Sequence, residues 1–224
     1  MTSRQSPQAL ARYYDRCLAV HGDTAQGAGW PNEPDRTTRF AVMAEALALA
    51  GIPIQNASVL DMACGTGAFL DWLKDMGQTP AHYVGVDISE PAIEQARQKS
   101  PDGVFVCMDV LKSDMQLPAQ HYDLVVINGL FTVKDALSDT DMRSFLVAVL
   151  DRLWPVTGRV LALNVMSDVV DWRRDDLFHV PMDQMAELLF GVSGHRRAVF
   201  RSDYDLFEYT SYLFRAPRAE RTLL

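Results

Sequence analysis

Val59-Leu60-Asp61-Met62-Ala63-Cys64-Gly65-Thr66-Gly67-Ala68-Phe69 carries a short apolar run into a carboxylate, then a Gly-x-Gly turn, then the start of a helical pattern. The reading is strand, tight turn, helix. Glycine lets a backbone take positive φ and approach a ligand closely, and the helix that follows directs its unpaired N–H groups at that ligand. Further along, Tyr83-Val84-Gly85-Val86-Asp87-Ile88 reads as a second buried strand ending in an acid. Its distance from the glycine turn suits a carboxylate that grips a ribose diol.

Strand and helix alternate outward from this stretch. Strands are predicted at about 57–62, 82–87, 104–108 and 122–128, separated by helices at about 67–76, 90–99 and a short one near 111–116. That pattern makes a parallel sheet covered on both faces. Ser89 before Pro91 marks one helix start and Gly77 one helix end. Met142, Phe145, Leu146, Val149, Leu150 and Leu153 repeat at helical spacing and predict a helix over 139–153. A strand at 160–165, a helix near 182–190 and two strands at 195–201 and 207–214, spaced as a hairpin, complete the chain. Upstream, residues 7–21 place Leu10, Tyr13, Tyr14, Cys17 and Leu18 at helical spacing, and a glycine-rich loop follows that holds Trp30. A second helix runs from near Pro34 to Gly51, with Phe40, Met43, Leu47 and Ala50 on one face and Arg36 and Arg39 on it too. These two helices predict an N-terminal helical cap, residues 1–52, over a core of residues 53–224.

Four segments in order, each at a strand end, identify a family. Asp61-x-x-Cys64-Gly65-Thr66-Gly67, Val86-Asp87-Ile88-Ser89, Cys107-Met108-Asp109-Val110 and Tyr122-Asp123-Leu124-Val125-Val126-Ile127-Asn128 resemble the successive cofactor motifs of class I S-adenosylmethionine-dependent methyltransferases. The resemblance covers roughly residues 55 to 165. It implies an α/β, Rossmann-like seven-stranded sheet, mostly parallel with the last strand antiparallel, with helices on both faces, and S-adenosyl-L-methionine as cofactor. It also implies roles. Asp61 organises the loop or the cofactor ammonium, and Cys64, Gly65 and Gly67 lie against the methionine and ribose, with Ala63 standing where many relatives have the first glycine. Asp87 accepts both ribose hydroxyls, Ile88 packs on the adenine, and Asp109 and Val110 meet its amino group. Asn128 is a polar acceptor for cofactor or substrate.

Each position also has a plainer reading. The glycine turn also suits an ordinary strand–helix connection, Asp87 and Asp109 suit helix N-caps, and Asn128 suits a structural amide. Arg39 and Arg36 lie in the first turns of an otherwise apolar face, where a carboxylate clamp competes with snorkelling or pairing to Glu33 or Asp35. As a clamp, Arg39 is expected with the cofactor, and the acceptor is expected against Tyr13, Tyr14, Trp30, Arg36, Phe131 and Trp172. His21, His179 and His195 are bases by type only. Methyl transfer from a sulfonium needs little acid–base help, since alignment of nucleophile, methyl and sulfur does most of the work. No catalytic side chain is therefore singled out.

Composition narrows the partners. With 224 residues, 48% hydrophobic and 22% charged, the chain builds one sizeable core. The opening residues lack an apolar signal core, and no apolar run approaches the ~20 residues of a membrane span. Together with three cysteines in no metal-ligand spacing, this predicts a cytoplasmic protein with reduced thiols. A net charge of −8 repels a polyanion, so no nucleic acid is expected and a small-molecule acceptor leads. Methylation of RNA or a protein is the alternative on the same fold. A nicotinamide-dependent dehydrogenase fits less well, because Leu70 stands where the dinucleotide turn wants its third glycine. The acidic stretch 168–176 has irregular spacing that reads as a solvated lid, and no metal is expected.

Overall fold

The computed structural model describes residues 6–112, 117 and 121–215. Helices α1 (Ser6–His21) and α2 (Glu33–Leu49) come first, then a short 3-10 turn at Ile54–Asn56. Next follow β1 (Ser58–Met62), α3 (Ala68–Asp75), β2 (His82–Asp87), α4 (Glu90–Lys99), β3 (Val104–Cys107) and β4 (Tyr122–Phe131). The chain continues with α5 (Asp139–Leu153), β5 (Thr157–Ser167), β6 (His179–Val180), α6 (Met182–Ser193), β7 (Ala198–Arg201) and β8 (Glu208–Phe214). Local chemistry sets the helix starts. Asn32 caps α2 with Pro34 in its first turn, Ser89 caps α4, and Ser138 and Asp141 form a capping box on α5.

The strands form one sheet in the order β3-β2-β1-β4-β5-β8-β7, with β6 alongside the end of β5. β1 to β5 run parallel, and β8 is inserted antiparallel between β5 and β7. The order reverses between β1 and β4, whose ends lie in register with Met62 opposite Ile127. A sheet of this kind collects its ligand at that reversal, outside the C-terminal strand ends. Successive β4 residues feed opposite layers, as the period of two requires. Val125 and Ile127 join the layer of α5 and α6, while Leu124 and Val126 join that of α2 and α3.

Two expectations need correction. The sheet has an eighth strand, β6, which pairs Met166 with His179 and Ser167 with Val180; two residues are too few to show a period. β4 and β5 run beyond the predicted ends, to Phe131 and Ser167. α2 packs on the sheet face through Phe40, Val42, Met43, Ala46 and Leu47. α1 and the loop after it line the site together with Arg36 and Phe40 of α2. Finally, most of the helix expected near 111–116 lies outside the described residues. Among the described residues, no helix is long and apolar enough to cross a membrane.

Candidate active site

The turn after β1 places three residues in the left-handed region: Ala63 (φ 62°), Gly65 (φ 54°) and Gly67 (φ 77°). The two glycines do different work. Gly65 lines a cleft, and a Cβ there would meet nothing within 4 Å, so its absent side chain leaves backbone facing the cavity. Gly67 is not in that wall. A Cβ on it would press on the Phe105 ring at 3.0 Å, so it serves the packing of α3 against β3 and not the cofactor approach expected of it. Asp87 ties the first two motifs together: Oδ2 accepts the Gly65 N–H and Oδ1 the Ser89 N–H, both at 2.8 Å. A carboxylate has about four lone-pair sites, so this clamp leaves acceptor capacity for a diol.

α1 and the following loop are latched to every motif. Ser89 Oγ donates to Asp15 at 2.5 Å, Thr66 Oγ1 to Asp23 at 2.5 Å and Gln8 Nε2 to Asp109 at 3.0 Å. Tyr14 O–H donates to the Gly129 carbonyl at 3.1 Å, and Lys99 pairs with Asp23 at 2.6 Å. Asp109 spends its other oxygen on the Leu111 N–H at 3.0 Å, so its local capping role and its place in the cleft coexist. The cleft, open to solvent on one side, measures about 1220 Å³ with the solvent at its mouth counted in.

Asp61, Ala63, Cys64, Gly65, Asp87, Ile88, Asp109, Val110 and Asn128 all line it, as do Tyr14, Trp30 and Arg36. Burial pushes the Asp61 carboxyl up to about 7, opposed by the Tyr83 hydroxyl that donates to it at 2.5 Å and reinforced by the charge of Asp87. Burial also raises Asp87, against the pull of its backbone donors. Neither has an ion-pair partner among the described residues. Two buried polar atoms in the cleft lack a hydrogen bond: Asn128 Oδ1 and Arg36 Nε. Arg36 otherwise pairs with Glu33 at 2.7 Å, so its clamp and ion-pair readings share one side chain.

Four expected residues lie elsewhere. Arg39 is spent on buried Glu208, at 2.7 and 2.9 Å, and is not in the cleft wall. Phe131 is wholly buried, edge-on to Phe145, because β4 continues past Asn128 and its alternation turns Phe131 into the core. Tyr13 and Trp172 pack in a satellite cluster with Val133, Met166 and Leu177. None of His21, His179 and His195 lines the cleft. Sequence reasoning missed Asp15 and Asp23, the latches of the cap. Asp15, an acid beside Tyr14 and Leu18 on a helix that buries that side, was the visible signal.

Comparison with known proteins bears on this arrangement. Residues 59–155, from β1 to just beyond α5, match the family described as "Methyltransferase domain". Over that segment, which is less than half of the chain, the sequence is similar to methyltransferases. A Mycobacterium tuberculosis protein provisionally named a methyltransferase is 27% identical to this protein over 158 residues, 68% of this chain and 90% of the relative. Among solved structures, the magnesium protoporphyrin IX methyltransferase of Synechocystis PCC 6803 with bound SAM superposes with a TM-score of 0.63 at 18% identity, covering 94% of this chain and 97% of that one. The 1,6-didemethyltoxoflavin-N1-methyltransferase of Burkholderia thailandensis, with bound acceptor and S-adenosylhomocysteine, gives 0.66 at 15% identity, covering 97% and 92%. At these identities the structures are like this protein in fold alone. The motif residues sit at the strand ends of that fold.

Proposed function

We propose that the protein transfers a methyl group from S-adenosylmethionine to a small-molecule acceptor by in-line displacement. The observation that carries this is the charge of the cleft: Asp15, Asp23, Asp61, Asp87 and Asp109 line it against a single arginine, Arg36. Asp61 is buried and Asp87 half-buried without a counter-ion among the described residues, which is costly unless a cation arrives. The cofactor fits that need. When bound, it supplies an activated methyl on a cationic sulfur and carries an ammonium as well.

The residues divide the work by position. Asp87 has lone pairs left for a ribose diol, Asp61 offers negative charge beside the Ala63–Gly65 turn, and Ile88, Met108 and Val110 give an apolar slot for a planar base. Tyr14, Trp30, Phe40, Leu130 and Phe145 add a further apolar wall to the cleft, which also holds the unpaired Asn128 Oδ1. That wall excludes water and holds an acceptor, while the latched cap limits how the acceptor is oriented. The same negative lining disfavours the phosphates of RNA and the pyrophosphate of a nicotinamide dinucleotide. The small-molecule reading also draws support from the neighbours that act on magnesium protoporphyrin IX and 1,6-didemethyltoxoflavin.

Titration calorimetry with S-adenosylmethionine and S-adenosylhomocysteine tests the cofactor, with saturable micromolar binding expected. Absence of binding by the folded protein would sink the proposal. A low-salt gel shift with structured RNA tests the acceptor class, and saturable complex formation would overturn the small-molecule reading.

A further inference from the structure

Gly129, the residue after Asn128, is held at both ends. Its N–H donates to Asn164 Oδ1 at 2.8 Å, and its carbonyl accepts the Thr132 hydroxyl at 2.9 Å and the Tyr14 hydroxyl at 3.1 Å. Asn164 Nδ2 donates to Glu208 Oε1 at 2.9 Å, and Glu208 Oε2 receives Arg39 Nε at 2.9 Å and its terminal nitrogen at 2.7 Å. The Arg39 guanidinium lies 4.2 Å from the centre of the Trp30 ring. Trp30 in turn packs so closely over Gly129, at φ +86°, that any Cβ there would overlap its ring. Trp30, Arg39, Glu208, Asn164 and Gly129 therefore close a circuit of contacts that joins α2, β8, β5 and β4.

Arg39, Glu208 and Asn164 are 7%, 1% and 0% exposed, and none of them lines the cleft. An ion pair this deeply buried is weak evidence of stability, since desolvation consumes most of its Coulomb gain and apolar residues of like volume often do as well. What such a network supplies is geometry, and both open ends of this one, Trp30 and Gly129, lie in the cleft wall. Fixing the Gly129 peptide also fixes the irregularity of β4 between Ile127 and Phe131, and with it the backbone that carries Asn128. We propose that Arg39, Glu208 and Asn164 are positioning residues that hold Trp30 and the Asn128–Gly129 segment of β4 as one rigid acceptor wall. The cofactor side, organised separately by the Asp87 clamp, does not depend on them. This rests on the methyl-transfer reading of the cleft.

The test uses Asn164→Leu alone and the apolar triple variant Arg39→Met/Glu208→Leu/Asn164→Leu, in protein labelled with 5-fluorotryptophan, the Trp30 line being assigned by Trp30→Phe. Expected in a folded variant are a shifted and broadened Trp30 fluorine line and Gly129 amide exchange faster by about tenfold, with β1 amides unchanged. Affinity for S-adenosylhomocysteine should stay within about twofold by calorimetry. An unmoved Trp30 line and unchanged Gly129 exchange in either folded variant would overturn the proposal, as would a loss of S-adenosylhomocysteine affinity in step with the loosening. Where one variant fails to fold, the other decides by the same readouts. Failure of the wild-type protein to bind S-adenosylhomocysteine strikes the methyl-transfer reading alone, and the fluorine and exchange measurements still judge the network.

Discussion

Replacing Asp61 by Asn should change the way stability depends on pH more than it changes the fold. The carboxyl is 3% exposed and held at about 7, against an ordinary value of 3.8. The folded state therefore binds its proton more tightly than the unfolded chain does between those values. With a raised folded pKa, the contribution to stability is fully present below about 3.8 and is lost as pH rises to about 7, after which the ionised group is a standing cost. The gap between 3.8 and about 7 corresponds to about 4 kcal/mol, a ceiling for the cofactor-free protein. Asparagine keeps an oxygen to accept the Tyr83 hydroxyl and never ionises, so the variant escapes the cost.

Urea denaturation of both proteins at pH 5, 6, 7 and 8 reads the effect as a difference, in which groups that titrate alike in both cancel. The Asn variant should gain on the wild type by several kcal/mol from pH 5 to pH 8. S-adenosylmethionine should act oppositely on the wild type. As a cation it favours the ionised carboxylate, so its affinity falls as pH drops below about 7, while the variant binds more weakly with a flatter profile. A stability difference constant across this range would refute the reasoning, because it would mean that Asp61 is solvated enough to ionise normally.

Asp87→Ala removes a buried acceptor and also frees the Gly65 and Ser89 N–H groups, so S-adenosylhomocysteine affinity should drop by about 2–3 kcal/mol in calorimetry. Ala63→Gly relieves a left-handed alanine at φ 62°, a conformation that costs about 1–2 kcal/mol for a residue with a Cβ, partly offset by the entropy glycine loses on folding. Its melting temperature should equal or exceed the wild-type value, and a clear fall would show that the Ala63 methyl packs productively. Deletion of residues 1–30 cuts the latches at Ser89, Thr66, Asp109 and Gly129 together. The truncated protein should lose S-adenosylhomocysteine binding as well as turnover, and retained binding at wild-type affinity would show that the cap serves the acceptor alone.

Much of this architecture is legible in the sequence because its signals are local and repeated. The α5 pattern gives its helix from Asp139 to Leu153 because apolar spacing and a capping box agree at the same residues. Each of the four motifs joins a strand end to a turn, so four weak patterns in order become one strong one. The illegible parts are those where tertiary contact overrides a local rule. β6 is a strand only because β5 extends past β4 and leaves an edge for His179 and Val180 to pair with. The Arg39 partner is likewise invisible in the sequence, since a strand from the far end of the chain supplies Glu208 to neutralise that guanidinium.

The site divides in the same way. Asp61, Gly65, Asp87 and Asp109 occupy the wall of the cleft because their positions follow from the strand ends, which sequence fixes to within a residue or two. Phe131, Arg39 and Trp172 do not, because facing a cavity depends on where a strand stops and on what lies across from it. Gly67 shows the limit most sharply. Its positive φ matches the motif, but its bare Cα faces Phe105 on β3, so the glycine that looks most like a ligand contact is needed for the packing of a helix against a strand. A substitution there and one at Gly65 would both disturb the turn, and they would do so through different neighbours. Gly67→Ala should cost stability through Phe105, whereas Gly65→Ala should place its methyl in the cleft, where the cofactor is proposed to lie.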